Sequence, residues 1–113
     1  MSFLSGASAL VVILAAAYAA NNKPQFWNLT AHPVTEFYLA PAGTDQWGEN
    51  QALNDPDGSV DYNEKLSIVD IPPDTYDLKL KDKTGRVCVL RGVVIWTDSI
   101  ISLDETQLAD CTK

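Results

Sequence analysis

Histidine occurs once in this chain, methionine once and cysteine twice. Those scarcities remove several kinds of function at the outset. Two cysteines without a C-x-x-C pair and one histidine cannot close a tetrahedral zinc site of the usual kind unless carboxylates complete it. A nucleophile–histidine–acid arrangement would have to use His32, which precedes Pro33 in a turn, and no G-x-S-x-G elbow accompanies it. The expectation for His32 is an exposed turn residue. Basic residues are also few: eight Lys and Arg stand against fifteen Asp and Glu, a formal charge of −7. Nucleic acid demands a basic face, and anionic headgroups attract basic segments, so neither partner is expected. The acidic excess is read as what keeps a small exported domain soluble. Beyond residue 20 there is no helix-period segment, no internal repeat and no low-complexity tract, and no motif implies a cofactor.

What is present begins with an apolar run. Phe3 to Ala20 carries no charge and is rich in Ala, Leu, Val and Ile. As a signal peptide it has an apolar centre followed by Ala17-Tyr18-Ala19, an A-x-A cleavage pattern, but no Lys or Arg precedes that centre. As an anchor, its helix would span about 27 Å, close to the roughly 30 Å of a hydrocarbon core. Leu10, Val11, Val12, Ile13 and Leu14 would face lipid or a partner helix, with Tyr18, Phe26 and Trp27 toward the interface. Ser5-Gly6-Ala7-Ser8-Ala9 would let another helix approach closely. Residues 1–22 are therefore expected to form a retained signal-anchor helix, and residues 23–113 an exported domain. In an oxidising compartment Cys88 and Cys111 pair by default, closing a loop of a little over twenty residues. The chain-entropy model gives that loop roughly 3 kcal/mol.

The exported part reads as short strands separated by turns. Gln25–Thr30 and Val34–Ala40 flank Ala31-His32-Pro33, and Pro41 ends the second strand because it has no N–H to donate. A long polar loop, Ala42 to Leu53, leads into the turn cluster Asn54-Asp55-Pro56-Asp57-Gly58. Tyr62 to Ile71 resumes as a strand, and Pro72-Pro73-Asp74 turns it. Tyr76, Leu78 and Leu80 then alternate inward against Asp77, Lys79 and Lys81 outward. Asp82-Lys83-Thr84-Gly85 makes a hairpin into Arg86–Leu90, Arg91-Gly92 interrupts, Val93–Trp96 continues, and Ile100–Leu103 closes the sheet. The fold class predicted is all-β, a small antiparallel β-sandwich of six to seven strands preceded by one N-terminal apolar helix.

Several of these segments also share a pattern. The run Tyr38-Leu39-Ala40-Pro41-Ala42-Gly43-Thr44-Asp45-Gln46-Trp47-Gly48 resembles the "YVSPAGSDxWG" stretch of a family of small exported bacterial domains. Pro56-Asp57-Gly58-Ser59, Pro72 to Lys79 and Asp82-Lys83-Thr84-Gly85 are similar to that family's turn, its "P-x-G-x-YDLR" strand and its "D-x-D-G" hairpin. The likeness covers about residues 25 to 95, with Asp74 where a glycine is usual and Lys79 in place of Arg. It implies a β-sandwich outside the cytoplasm and brings no assigned activity.

Two groups could carry chemistry. On an EF-hand template Asp55, Asp57 and Asp61 fall at the third, fifth and ninth positions and Glu64 at the twelfth, with Gly58 at the sixth. Leu53 occupies the first, where an acid is required, so weak calcium binding is the alternative to an ordinary turn. Among the aromatic residues, Phe26, Trp27 and Trp47 are candidates for an interface. The sequon Asn28-Leu29-Thr30 matters only in a glycosylating pathway. The function expected is a non-catalytic accessory subunit of a membrane complex, photosynthetic or respiratory. Its helix would sit in the bacterial inner membrane among other subunits, with the domain on the periplasmic side. The alternative is a cleaved, soluble periplasmic binding module that takes calcium or a partner.

Overall fold

The computed structural model describes residues 23–109 and residue 111. The anchoring helix expected over residues 1–22, with Leu10 to Leu14 and Tyr18, lies outside the described residues. Among those described, no helix is long and apolar enough to cross a membrane.

Six strands form two small sheets. The first holds β1 (Gln25–Leu29) at its centre, between β3 (Lys65–Ser67) and β6 (Ile100–Asp104). The second is ordered β2 (Val34–Pro41), β4 (Asp74–Asp82), β5 (Val87–Ile95). A single turn of helix, α1 (Glu105–Leu108), follows β6. Asp104 caps it reciprocally with Gln107: the Asp104 side chain accepts from Thr106 N–H, and Gln107 accepts from Asp104 N–H at 2.7 Å.

Phe26 of β1 and Phe37 of β2 come from different sheets, yet their rings lie 4.6 Å apart, and both are fully buried. Around them one core gathers Leu66, Ile101 and Leu103 from the first sheet and Leu39, Tyr76, Leu78, Leu80, Cys88 and Ile95 from the second. Two corrections to the sequence reading arise here. The sheets are not wholly antiparallel, because β1 and β6 run parallel from Gln25↔Ile100 to Leu29↔Asp104. The strand expected over Tyr62–Ile71 is only Lys65–Ser67. Glu64 is consumed by a turn onto Asp61, Asn63 has φ 67°, and Asp70 with φ 58° turns the chain on the far side.

β2 has an exposable edge, which natural sheets cover or blunt. Here residues 48–60 cover it. The Asn50 side chain accepts from Phe37 N–H and donates to Thr35 C=O, as a neighbouring strand would, while Gly48 N–H bonds Leu39 C=O and Val34 pairs reciprocally with Val60. Asn28, fully buried, ties the other sheet to the same segment: its amide donates to Val60 C=O at 2.8 Å and to His32 C=O at 3.0 Å. Both amide hydrogens are thereby engaged, so the folded chain does not offer Asn28 for glycosylation.

Candidate functional site

The outer face of the β2–β4–β5 sheet carries the best-defined constellation of polar and aromatic groups, and the segment after β2 builds it. Pro41 C=O accepts from Thr44 N–H and from its hydroxyl, and Thr44 Oγ1 in turn accepts from Gln46 N–H. Gly43 at φ 80° and Asp45 at φ 53° reverse the chain. Gly48 then closes onto the strand, where a Cβ would lie 3.3 Å from Leu39 O. The reversal lays Trp47, half-buried, back over the sheet beside Tyr38. Lys79 of β4 projects between them, its Nζ 4.8 Å from the Trp47 ring and 5.4 Å from the Tyr38 ring, a doubled cation–π contact.

At one end of this face Asp77 stands opposite a bulge. Tyr76 pairs with Val93 and Leu78 with Leu90, so Arg91 and Gly92 together oppose the single Asp77. Alternation directs Asp77 outward, as expected, yet it is buried. Its carboxylate accepts from Gly43 N–H at 2.9 Å, Arg91 at 2.9 Å and Gly92 N–H at 3.1 Å. Those bonds, Gly43 foremost, hold its pKa below the usual carboxylate value. Arg91 also bonds Asp45 at 2.9 Å, which closes the loop onto the sheet.

Toward the other end lies an open groove of about 300 Å³ lined by Glu36, Tyr38, Lys79, Leu80, Lys81 and Val87. Tyr38 donates to Glu36 at 2.8 Å, which raises the phenol's pKa, and Lys81 approaches the same carboxylate at 3.8 Å. These groups can hydrogen-bond and stack. They present two ammonium groups, a carboxylate and a phenol that is held protonated.

Beyond the groove the β4–β5 hairpin is locked to the C-terminal helix. Asp82, 1% exposed, accepts from Thr84 N–H and hydroxyl, from Arg86 N–H and from Arg86 Nε. Burial raises its pKa, but those donors, the Thr84 hydroxyl foremost, outweigh it and leave the pKa lowered. The far side of the Arg86 guanidinium donates twice to Glu105, at 2.9 and 2.6 Å, and Ala31 N–H bonds Glu105 as well. Arg86 foremost, then Ala31, bring the Glu105 pKa from 4.5 to about 2. Cys88 and Cys111 are disulfide-bonded beside this lock, with Cα atoms 5.0 Å apart.

The structure sorts the residues singled out from sequence. Cys88 and Cys111 pair as expected. Phe26, expected at an interface, is 0% exposed because alternation in β1 points it at Phe37; that expectation is corrected. Trp27, its outward neighbour, is half-buried, donates to Asn63 at 3.1 Å and lies under Lys65 Nζ at 4.8 Å. Asp55 and Asp57 approach each other closely enough that Asp55 raises the Asp57 pKa, but the four carboxylates, with Asp61 and Glu64, do not gather into one ligand set. Asp55 caps Asp57 N–H, Asp57 caps Ser59 N–H, and Glu64 caps Asp61 N–H. Among the described residues no three His, Cys, Asp or Glu side chains are grouped to hold a metal ion. Sequence reasoning passed over Asp77, Arg91, Arg86 and Glu105, because their partners lie fourteen or more residues away in all but one case. The one local signal was Asp82 four residues before Arg86.

No protein-family model matches the chain, nor does any curated protein or solved structure.

Proposed function

We propose that this chain is a non-catalytic accessory subunit of a bacterial membrane complex, tethered by the apolar segment within residues 1–22 with its β head outside the cytosol. The observation that carries this reading is the Cys88–Cys111 disulfide downstream of an uncharged apolar run. A disulfide of this kind persists where the surroundings are oxidising, and the apolar run suits an export or anchoring role. The polar side chains support the non-catalytic part. Asp77, Asp82, Arg86, Asn28 and Gln51 are each occupied in fixing a loop, a hairpin or a strand edge. Among the described residues no buried side-chain nitrogen or oxygen lacks a partner. The head is read as a sandwich because one core serves both sheets, in keeping with the likeness of Tyr38–Gly48 to small exported bacterial domains.

The test is affinity capture of the tagged full chain from detergent-solubilised membranes, in parallel with an exported form lacking residues 1–20. Recovery of the same integral membrane proteins with the full chain, and their loss with the shortened one, is the expected result. Recovery of those partners by the shortened form would show that the segment is not the attachment.

A further inference from the structure

We propose that the tip of the head formed by Val94, Trp96 and Ile100 rests against the lipid surface, at the end where the apolar segment leaves the head. This rests on the tether proposed above and extends it to how the head is held. Gln25 N–H bonds Ser99 C=O at 2.9 Å, Gln25 pairs with Ile100, and Pro24 C=O accepts from Ile68 N–H. The chain therefore joins the head beside the turn from β5 to β6. That turn is closed by Trp96 N–H to Ser99 Oγ at 2.8 Å and Ser99 N–H to Trp96 C=O at 3.2 Å. Whatever anchors residues 3–20 must hold this end nearest the bilayer.

Three large apolar side chains stand in the open at this same end, although Leu53, Tyr62, Val87 and Val89 are exposed as well. Trp96 is 62% exposed, Val94 53% and Ile100 49%. Ile95 and Ile101 point into the core, so Val94 lies on the outer face of one sheet and Ile100 on the outer face of the other, with Trp96 in the turn between. A partner docking flat on a sheet would meet only one of these faces. An apolar collar around a tip fits a planar apolar boundary, and tryptophan is enriched at the headgroup level for this reason. Pro72 and Pro73 are exposed on the neighbouring loop, just before Asp74, which pairs with Ile95. Asp74 pairs with Ile95, and exposed Asp70 and Asp98 lie within two residues of Pro72 and Trp96, against exposed Lys23 beside Pro24. The depth of the collar is therefore limited to the headgroup region, and a zwitterionic surface suits it better than an anionic one.

The experiment uses the full chain, unmodified and as Trp96→Phe, reconstituted in phosphatidylcholine vesicles containing lipids with a doxyl quencher near the headgroup. Trp96 is exposed, so the substitution leaves the fold intact. The chain is expected to float with the vesicles, and its tryptophan emission is expected to be quenched in the unmodified protein and much less in Trp96→Phe. Flotation with equal quenching in both proteins would place Trp96 away from the lipid surface and overturn this inference while the tether stands. A chain that does not float would overturn the tether, and this inference with it.

Discussion

Replacing Arg86 with alanine probes the most enclosed ion pair among the described residues, Arg86 with Asp82. The Arg86 residue is 7% exposed, its Nε bonds Asp82 at 3.1 Å, and the Asp82 side chain is fully enclosed. Removing one partner of a buried pair costs roughly 3–5 kcal/mol, because the other charge is left uncompensated. Asp82 would keep donors from Thr84 N–H, Thr84 Oγ1 and the backbone N–H at position 86, which the alanine retains. Those retained bonds set the expected loss at the lower bound, about 3 kcal/mol. Losing the Glu105 pair adds only the share that water leaves unscreened, since that side chain is 44% exposed. In a domain of this size about 3 kcal/mol corresponds to a fall in Tm of about 12–24 °C. The assay is a thermal melt of the oxidised full chain, followed by near-ultraviolet circular dichroism. Adding Asp82→Asn to Arg86→Ala removes the stranded charge and is expected to recover part of the loss. A single variant melting within about 4 °C of the parent would refute the reasoning.

Other outcomes follow from the same geometry. Reducing the disulfide, or replacing Cys88 and Cys111 together by alanine, is expected to cost about 3 kcal/mol, read as a lowered denaturation midpoint. Glu105 has a folded pKa of about 2 against an ordinary 4.5. Its contribution to stability is therefore complete above pH 4.5 and lost as the pH falls through about 2. Denaturation between those limits should show a shallower acid dependence in Glu105→Gln, although Asp77 and Asp82, also lowered, keep some slope. Calcium should leave Tm unchanged, since Asp55, Asp57 and Glu64 cap separate turns; a rise with added ion would show that they reorganise into a site.

Local pattern carried much of the fold. The alternation of Tyr76, Leu78 and Leu80 placed all three in the core, and the Asp82–Gly85 hairpin stands where it was expected. The interruption expected at Arg91-Gly92 is a bulge within the unbroken strand Val87–Ile95. Periodicity says which face a residue takes but not what covers that face. Asp77 points outward, yet the loop from Gly43 and the side chain of Arg91 enclose it. Strand direction was not legible for β6, because the antiparallel expectation assumed that neighbours in sequence also pair in space. In fact the turn at Trp96–Ser99 carries the chain across to the other sheet, where β6 runs alongside β1. The physical role of the stretch Val34–Gly48 is visible only in the structure: it carries Trp47 and Asp45 back over Lys79 and Arg91. The cluster at Asp55–Glu64 misled because charge density at the right spacing resembles a ligand set even when each carboxylate serves a different backbone N–H.

The tether is tested most directly by the intact mass of the mature protein purified from membranes. A mass that includes residues 3–20, with one disulfide and no cleavage after Ala19, is the predicted result. A mature chain beginning at Ala20 and recovered from the soluble fraction would contradict it.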